Sequence, residues 1–94
     1  MANYKKIKIE FKPRLKDAAL GLAYKDERRI EIKKGLDEFE TLDTIIHELQ
    51  HIIHPFLDEL AIECSSTMLA EHLWNLGYRK LNTNGKNNIK NKKR

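Results

Sequence analysis

Thr41-Leu42-Asp43-Thr44-Ile45-Ile46-His47-Glu48-Leu49-Gln50-His51-Ile52-Ile53-His54 is the stretch that decides how this chain is read. Leu42, Ile45, Ile46, Leu49, Ile52 and Ile53 recur at helical spacing and form one apolar stripe. At roughly 100° per residue the opposite stripe is Glu40, Thr44, His47, His51 and His54, all of it polar. The core of such a helix does not need its histidines. His47 and His51 are four residues apart, so both imidazoles project from one face, and two ring nitrogens there can grip one zinc ion. Glu48 is rotated by roughly 100° from His47, where its carboxylate can meet a water on that ion without ligating it.

The flanks bound this helix. Asp37 with Glu40 three residues later fits a capping box, with Thr41 as a competing start. His54-Pro55 closes it, because proline disfavours helical geometry in the residue before it. Asp58 is a ready N-cap for a second helix that runs to about Leu76 and stops at Gly77, with Ile62, Leu69, Leu73 and Leu76 as its expected core face. Upstream, Tyr4 to Lys12 alternates charged residues with Ile7, Ile9 and Phe11, the period-two pattern of a half-buried strand that Pro13 ends. Leu20–Tyr24 and Arg28–Lys33 read as a hairpin across Lys25-Asp26-Glu27, with Ile30 and Ile32 on the buried side. Lys16 to Leu20 fits a helical turn as an alternative. Gly21 within the first strand suggests a bulge or a close backbone approach. The expected architecture is α+β, a small antiparallel sheet of about three strands packed on two main helices.

Ninety-four residues make one small domain, and 40% hydrophobic with 34% charged residues suits a soluble globular protein. No apolar run is long enough to span a bilayer, and Met1 to Arg14 lacks the apolar centre of a signal peptide. The single cysteine, Cys64, has no internal disulfide partner and reads as a small core residue, so a cytoplasmic setting is expected. The net charge of +4 is unevenly spread: Lys86, Lys90, Lys92, Lys93 and Arg94 lie near the C-terminus, and without them the remainder is near −1. Residues 1–80 are therefore expected to form the domain, and 81–94 a disordered basic tail capable of weak nucleic-acid contact.

A catalytic zinc usually takes three protein ligands and keeps one position for water. Glu63 lies twelve residues past His51, on the second helix, and two antiparallel helices can bring their polar faces together over that distance. Glu59, one turn earlier, is the runner-up. His54 is about 10.5 Å of helical rise from His47, too far for all three histidines to share an ion.

At this point the chain resembles the zincin metallopeptidases, and within them minimal gluzincin-like proteins of phages and bacteria, akin to the ImmA/IrrE-type and SprT-like groups. The resemblance covers roughly residues 20–80. It rests on Arg29-Ile30-Glu31-Ile32, on the helix from Thr41 to His51, and on Leu73-Trp74-Asn75-Leu76-Gly77-Tyr78-Arg79. In similar proteins a glutamate on the following helix completes the metal site, which maps most naturally onto Glu63. SprT-like proteins more usually use a third histidine. His72 is the only downstream one here, and it lies about 180° around the helix from Glu63, so the gluzincin-like branch fits better. The resemblance implies a Zn2+-dependent peptidase acting on a protein or peptide, with His47, His51 and Glu63 as metal ligands and Glu48 as general base. It also implies that an edge at the Arg28–Lys33 strand receives an extended peptide. Tyr78, His72, Arg79 and Tyr24 are the candidates to steady an oxyanion. The rival expectation is a non-catalytic zinc-binding adaptor or regulatory protein that binds protein or nucleic acid. Intact Glu48 favours the peptidase, and the small size favours the adaptor.

Overall fold

Ile30 and Ile32 are fully buried, and Glu31 between them is nearly so, which marks their strand as the centre of the sheet. The computed structural model describes residues 6–80. It contains β1 (Lys8–Lys12), a 3-10 turn (Lys16–Ala18), β2 (Gly21–Tyr24), β3 (Arg29–Lys33), α1 (Glu38–Ile53) and α2 (Glu59–Asn75), an α+β fold of one three-stranded sheet and two helices. The expected basic tail at 81–94 and the start of the first strand at Tyr4 lie outside the described residues.

The strand order is β1-β3-β2. β2 and β3 form the expected antiparallel hairpin, with Gly21 opposite Ile32 and Tyr24 opposite Arg29. β1, however, pairs parallel to β3, with Lys8 beside Arg29 and Lys12 beside Lys33, so the sheet is mixed and not antiparallel throughout. The connection through the Lys16–Ala18 turn carries the chain from one edge of the sheet to the other, and the hairpin then returns β3 between β1 and β2. The arrangement gives the most apolar strand two neighbours and leaves the lysine-bearing β1 at an edge, where charge discourages further pairing.

One face of the sheet carries Ile30 and Ile32, against which Phe11, Ala23, Ile45 and Leu49 pack together with the buried Ile52 of α1. The other face holds a charge lattice. Arg29 bonds Glu27 at 2.8 Å and also Glu31, while Lys12 reaches Glu31 at 3.2 Å. The Arg29 guanidinium lies 4.2 Å from the Tyr24 ring centre. Burial pushes the Glu31 carboxyl up, but the bonds from Arg29 and Lys12 outweigh it and hold that carboxyl below its ordinary value.

Both helices begin at the expected caps. The Asp37 carboxylate accepts from the Glu40 N–H, and Asp58 accepts from Ala61 N–H, each at 2.8 Å. At the end of α2, Gly77 adopts φ +94°, its N–H bonds Trp74 O, and Tyr78 N–H bonds Leu73 O, closing the helix in a Schellman turn. Between the helices, the Gln50 amide donates to Ser65 and Ser66, both at 2.9 Å, and Thr67 bonds Asp43. The inward face of α2 is Ile62, Ser66 and Ala70, all fully buried. Leu69 and Leu76, expected in the core, are exposed, as are Ile53 at the end of α1 and Cys64 on α2. No helix among the described residues is long and apolar enough to cross a membrane.

Candidate metal centre

His47 and His51 stand on adjacent turns of α1 with ring centres 5.1 Å apart, as their spacing requires. Their Nε2 atoms both point at one carboxylate. Glu59 Oε2 is 3.0 Å from His47 Nε2, and Glu59 Oε1 is 3.0 Å from His51 Nε2. The two histidine side chains are about one-fifth to one-quarter exposed, and Glu59 is open to solvent. One ligand atom from each residue falls within 4.8 Å of the other two, the only such trio of histidine, cysteine, aspartate or glutamate among the described residues. Bonds of about 2.0–2.2 Å in a tetrahedral set put ligand atoms about 3.4 Å apart, so this donor set fits a zinc ion by chemistry and by span.

The carboxylate brought to the histidines is that of Glu59, and Glu63 is exposed outside the group. The rotation of α2 accounts for this. At roughly 100° per residue, Glu59 is about 20° from Ser66 and about 60° from Ile62, the residues that touch α1. Glu63 is about 60° and 100° from the same two, which turns it toward solvent. The small residues Ser66 and Ala70 were the available signal, because they mark where two helices approach closely. Counting back from them by seven and eleven reaches Glu59. The Asp58 cap then fixes the turn that carries it.

Glu48 is only 9% exposed and lies against β2. That approach depends on Gly21. A Cβ there would sit 2.8 Å from Glu48 Cγ and 2.7 Å from Thr44 Cγ2, closer than real side chains come. Gly21 therefore marks a close backbone approach, one of the two meanings its position suggests. Burial raises the Glu48 carboxyl above its ordinary value; the nearby His47 opposes that shift and Glu59 reinforces it.

Gly21, Leu22, Ala23, Lys25, His47, Glu48, His51 and Glu59 line an open cleft of about 300 Å³. Lys25 is a cation that sequence reasoning did not select; it enters because it directly follows β2, the strand that lines the cleft. None of Tyr24, His72, Tyr78 or Arg79 lines this cleft. The Tyr24 hydroxyl is 3.5 Å from Glu31, His72 Nδ1 is 2.8 Å from Met68 O, and the Arg79 guanidinium stacks 3.3 Å from the Trp74 ring centre. A larger hollow of about 1040 Å³ between β1, the first half of α1 and Trp74 has no histidine or cysteine in its lining.

The edge beside the cleft belongs to β2 and not, as expected, to Arg28–Lys33, which is the central strand. Lys33 N–H bonds Leu20 O, so in this antiparallel register residues 22 and 24 also face β3, and the polar backbone groups of Gly21 and Ala23 point away from the sheet.

Comparison with known proteins returned no family model, no curated protein and no solved structure that matches this chain.

Proposed function

We propose that this protein is a zinc-dependent peptidase of the gluzincin-like kind, with His47, His51 and Glu59 as the metal ligands and Glu48 as the general base. The observation that carries the reading is the convergence of His47 Nε2, His51 Nε2 and the two Glu59 oxygens beside a buried glutamate whose basicity is raised. A structural zinc site has no use for such a base, and a hydrolytic one does.

A zinc ion bound there supplies a Lewis acid that polarises a carbonyl and lowers the pKa of a coordinated water. His47 and His51 would hold the ion through Nε2, the atom that each turns toward Glu59. The Glu48 carboxylate accepts a proton from water in the cleft and returns it to the departing amine, and its raised pKa suits both transfers. The outward N–H and C=O groups of Gly21 and Ala23 hold the substrate as an added strand along β2, which fixes an extended peptide across the cleft. Lys25, on the lining, offers a positive charge to an oxygen or carboxylate of the substrate. The cytoplasmic setting inferred from the lone cysteine belongs to the same proposal.

The test uses the full chain purified without a histidine tag. Metal analysis should find close to one zinc per chain, and a peptide library read by mass spectrometry should show cleavage that Glu48→Gln abolishes while zinc is retained. Absence of zinc would remove the metal centre, and cleavage persisting in Glu48→Gln would remove the assigned chemistry. Stoichiometric zinc with no cleavage of any peptide would favour the adaptor reading.

A further inference from the structure

We propose that the hollow between β1, the first half of α1 and the end of α2 is a binding site for a small amphipathic carboxylate, a molecule with an apolar body and one carboxylate group. The hollow exists because the helices do not cover the whole sheet. α1 packs over β2 and β3, and among the described residues no helix lies over β1. The core-side face of β1 therefore stays partly open, and Ile9 is 41% exposed. Ile9, Phe11, Leu42, Ile45, Leu73 and Trp74 line a space of about 1040 Å³. Pockets for drug-sized ligands span roughly 300–1,000 Å³ and are mostly apolar with a few polar groups, and this hollow has that size and character. It shares no lining residue with the cleft at His47, Glu48, His51 and Glu59.

Charge chooses the occupant. Lys33, Lys34, Arg79 and Lys80 also line the hollow, against one carboxylate, Glu38. None of these four cations has a carboxylate partner among the described residues, whereas Lys8, Lys12 and Arg29 are each held by glutamates. Two of the four rest on the apolar wall itself. The Arg79 guanidinium stacks 3.3 Å from the Trp74 ring centre and donates to the Trp74 and Tyr78 carbonyls. Lys80 Nζ lies 4.5 Å from the Phe11 ring centre. An apolar chain laid against Trp74 and Phe11 thus brings a carboxylate to unpaired cations, where it gains charge-assisted hydrogen bonds that an aromatic face does not offer. A neutral ligand leaves those cations unmet, and a cationic one is repelled. The chain's own ends carry the wrong charge, since residues 1–5 and 81–94 contain six basic side chains and no acidic one.

Trp74 is the only tryptophan in the chain and stands in the wall of the hollow, so its fluorescence reports occupancy. The full chain is titrated with decanoate, decanol and decylammonium, each kept below its micelle-forming concentration. Decanoate should change the emission saturably, at one site per chain, and bind at least about tenfold tighter than decanol, the margin that a hydrogen bond to a charged group supplies. Decylammonium should give no saturable change, and decanoate affinity should fall as salt rises. Lys34→Glu and Lys80→Glu reverse exposed charges, so each should weaken decanoate about threefold or more while leaving decanol binding and the melting temperature unchanged. Ile9→Asn should weaken decanoate and decanol alike. No saturable response to decanoate, equal affinity for all three amphiphiles, or indifference to both charge reversals overturns the proposal. Saturable binding of an acidic amphipathic peptide without any of decanoate overturns the assignment to a small ligand.

Discussion

Gly21 and Glu48 meet where sheet and helix pass too close for any side chain between them: a single added carbon on Gly21 would lie 2.8 Å from Glu48 Cγ. That contact packs the glutamate of the H-E-x-x-H sequence against β2 and keeps it buried beside the two histidines.

Gly21→Ala should consequently force α1 and β2 apart. Overpacking of this kind typically costs about 1–3 kcal/mol, so thermal or urea unfolding should show a clear loss of stability. Zinc affinity should fall much less, because His47, His51 and Glu59 all lie on the helices. Wild-type stability in this variant would mean that the strand does not touch the helix at Gly21.

Glu59 and Glu63 should behave oppositely. If the proposed centre holds zinc, Glu59→Ala removes one of its three ligands and should weaken zinc binding by at least 10- to 100-fold, the range seen even for groups behind the ligands. Glu63→Ala should leave the affinity within a factor of about two, as expected of an exposed charge outside the site. Calorimetric titration of zinc into the two metal-free variants measures both. The opposite ranking would require α2 to be rotated about its axis.

Glu48 should destabilise the metal-free protein at neutral pH. Its folded pKa lies above the unfolded value near 4.5. Stability is therefore fully present below that value and is lost as pH rises through the folded one, where burial penalises the charge. Glu48→Gln removes the penalty, so the variant should melt above the wild type at pH 7 in the presence of chelator. The difference should shrink toward zero below about pH 4, where the wild-type carboxyl is neutral in both states.

Glu31 should show the reverse dependence. Its folded pKa lies below 4.5, so its contribution is present above that value and disappears as pH falls through the lower folded one. Glu31→Gln should therefore lower the melting temperature at pH 7 and flatten the acid limb of the stability curve. Unchanged melting at pH 7 would mean that Arg29 and Lys12 do no more for Glu31 than water does.

Features whose cause is local were legible in the amino-acid order. His47, Glu48 and His51 depend on one helical turn, the Asp37 and Asp58 caps on contacts within three residues, and the Gly77 stop on one backbone torsion. The β2–β3 hairpin, with only a short turn between its strands, was legible for the same reason. Tertiary packing decided the rest. Nothing in the alternation of β1 distinguishes a parallel from an antiparallel neighbour, since either places Ile9 and Phe11 on one face of the strand; the crossing of the chain before β2 settled it. The rotation of α2 was equally open, because Ile62, Ser66 and Ala70 on one side and Leu60, Cys64 and Met68 on the other are both apolar enough to face a core. Only contact with α1, through Gln50 and the two serines, selected the first set. That choice turned Glu59 toward the histidines and left Glu63 in water, because a helix is a rigid body and fixing one face fixes the direction of every side chain on it.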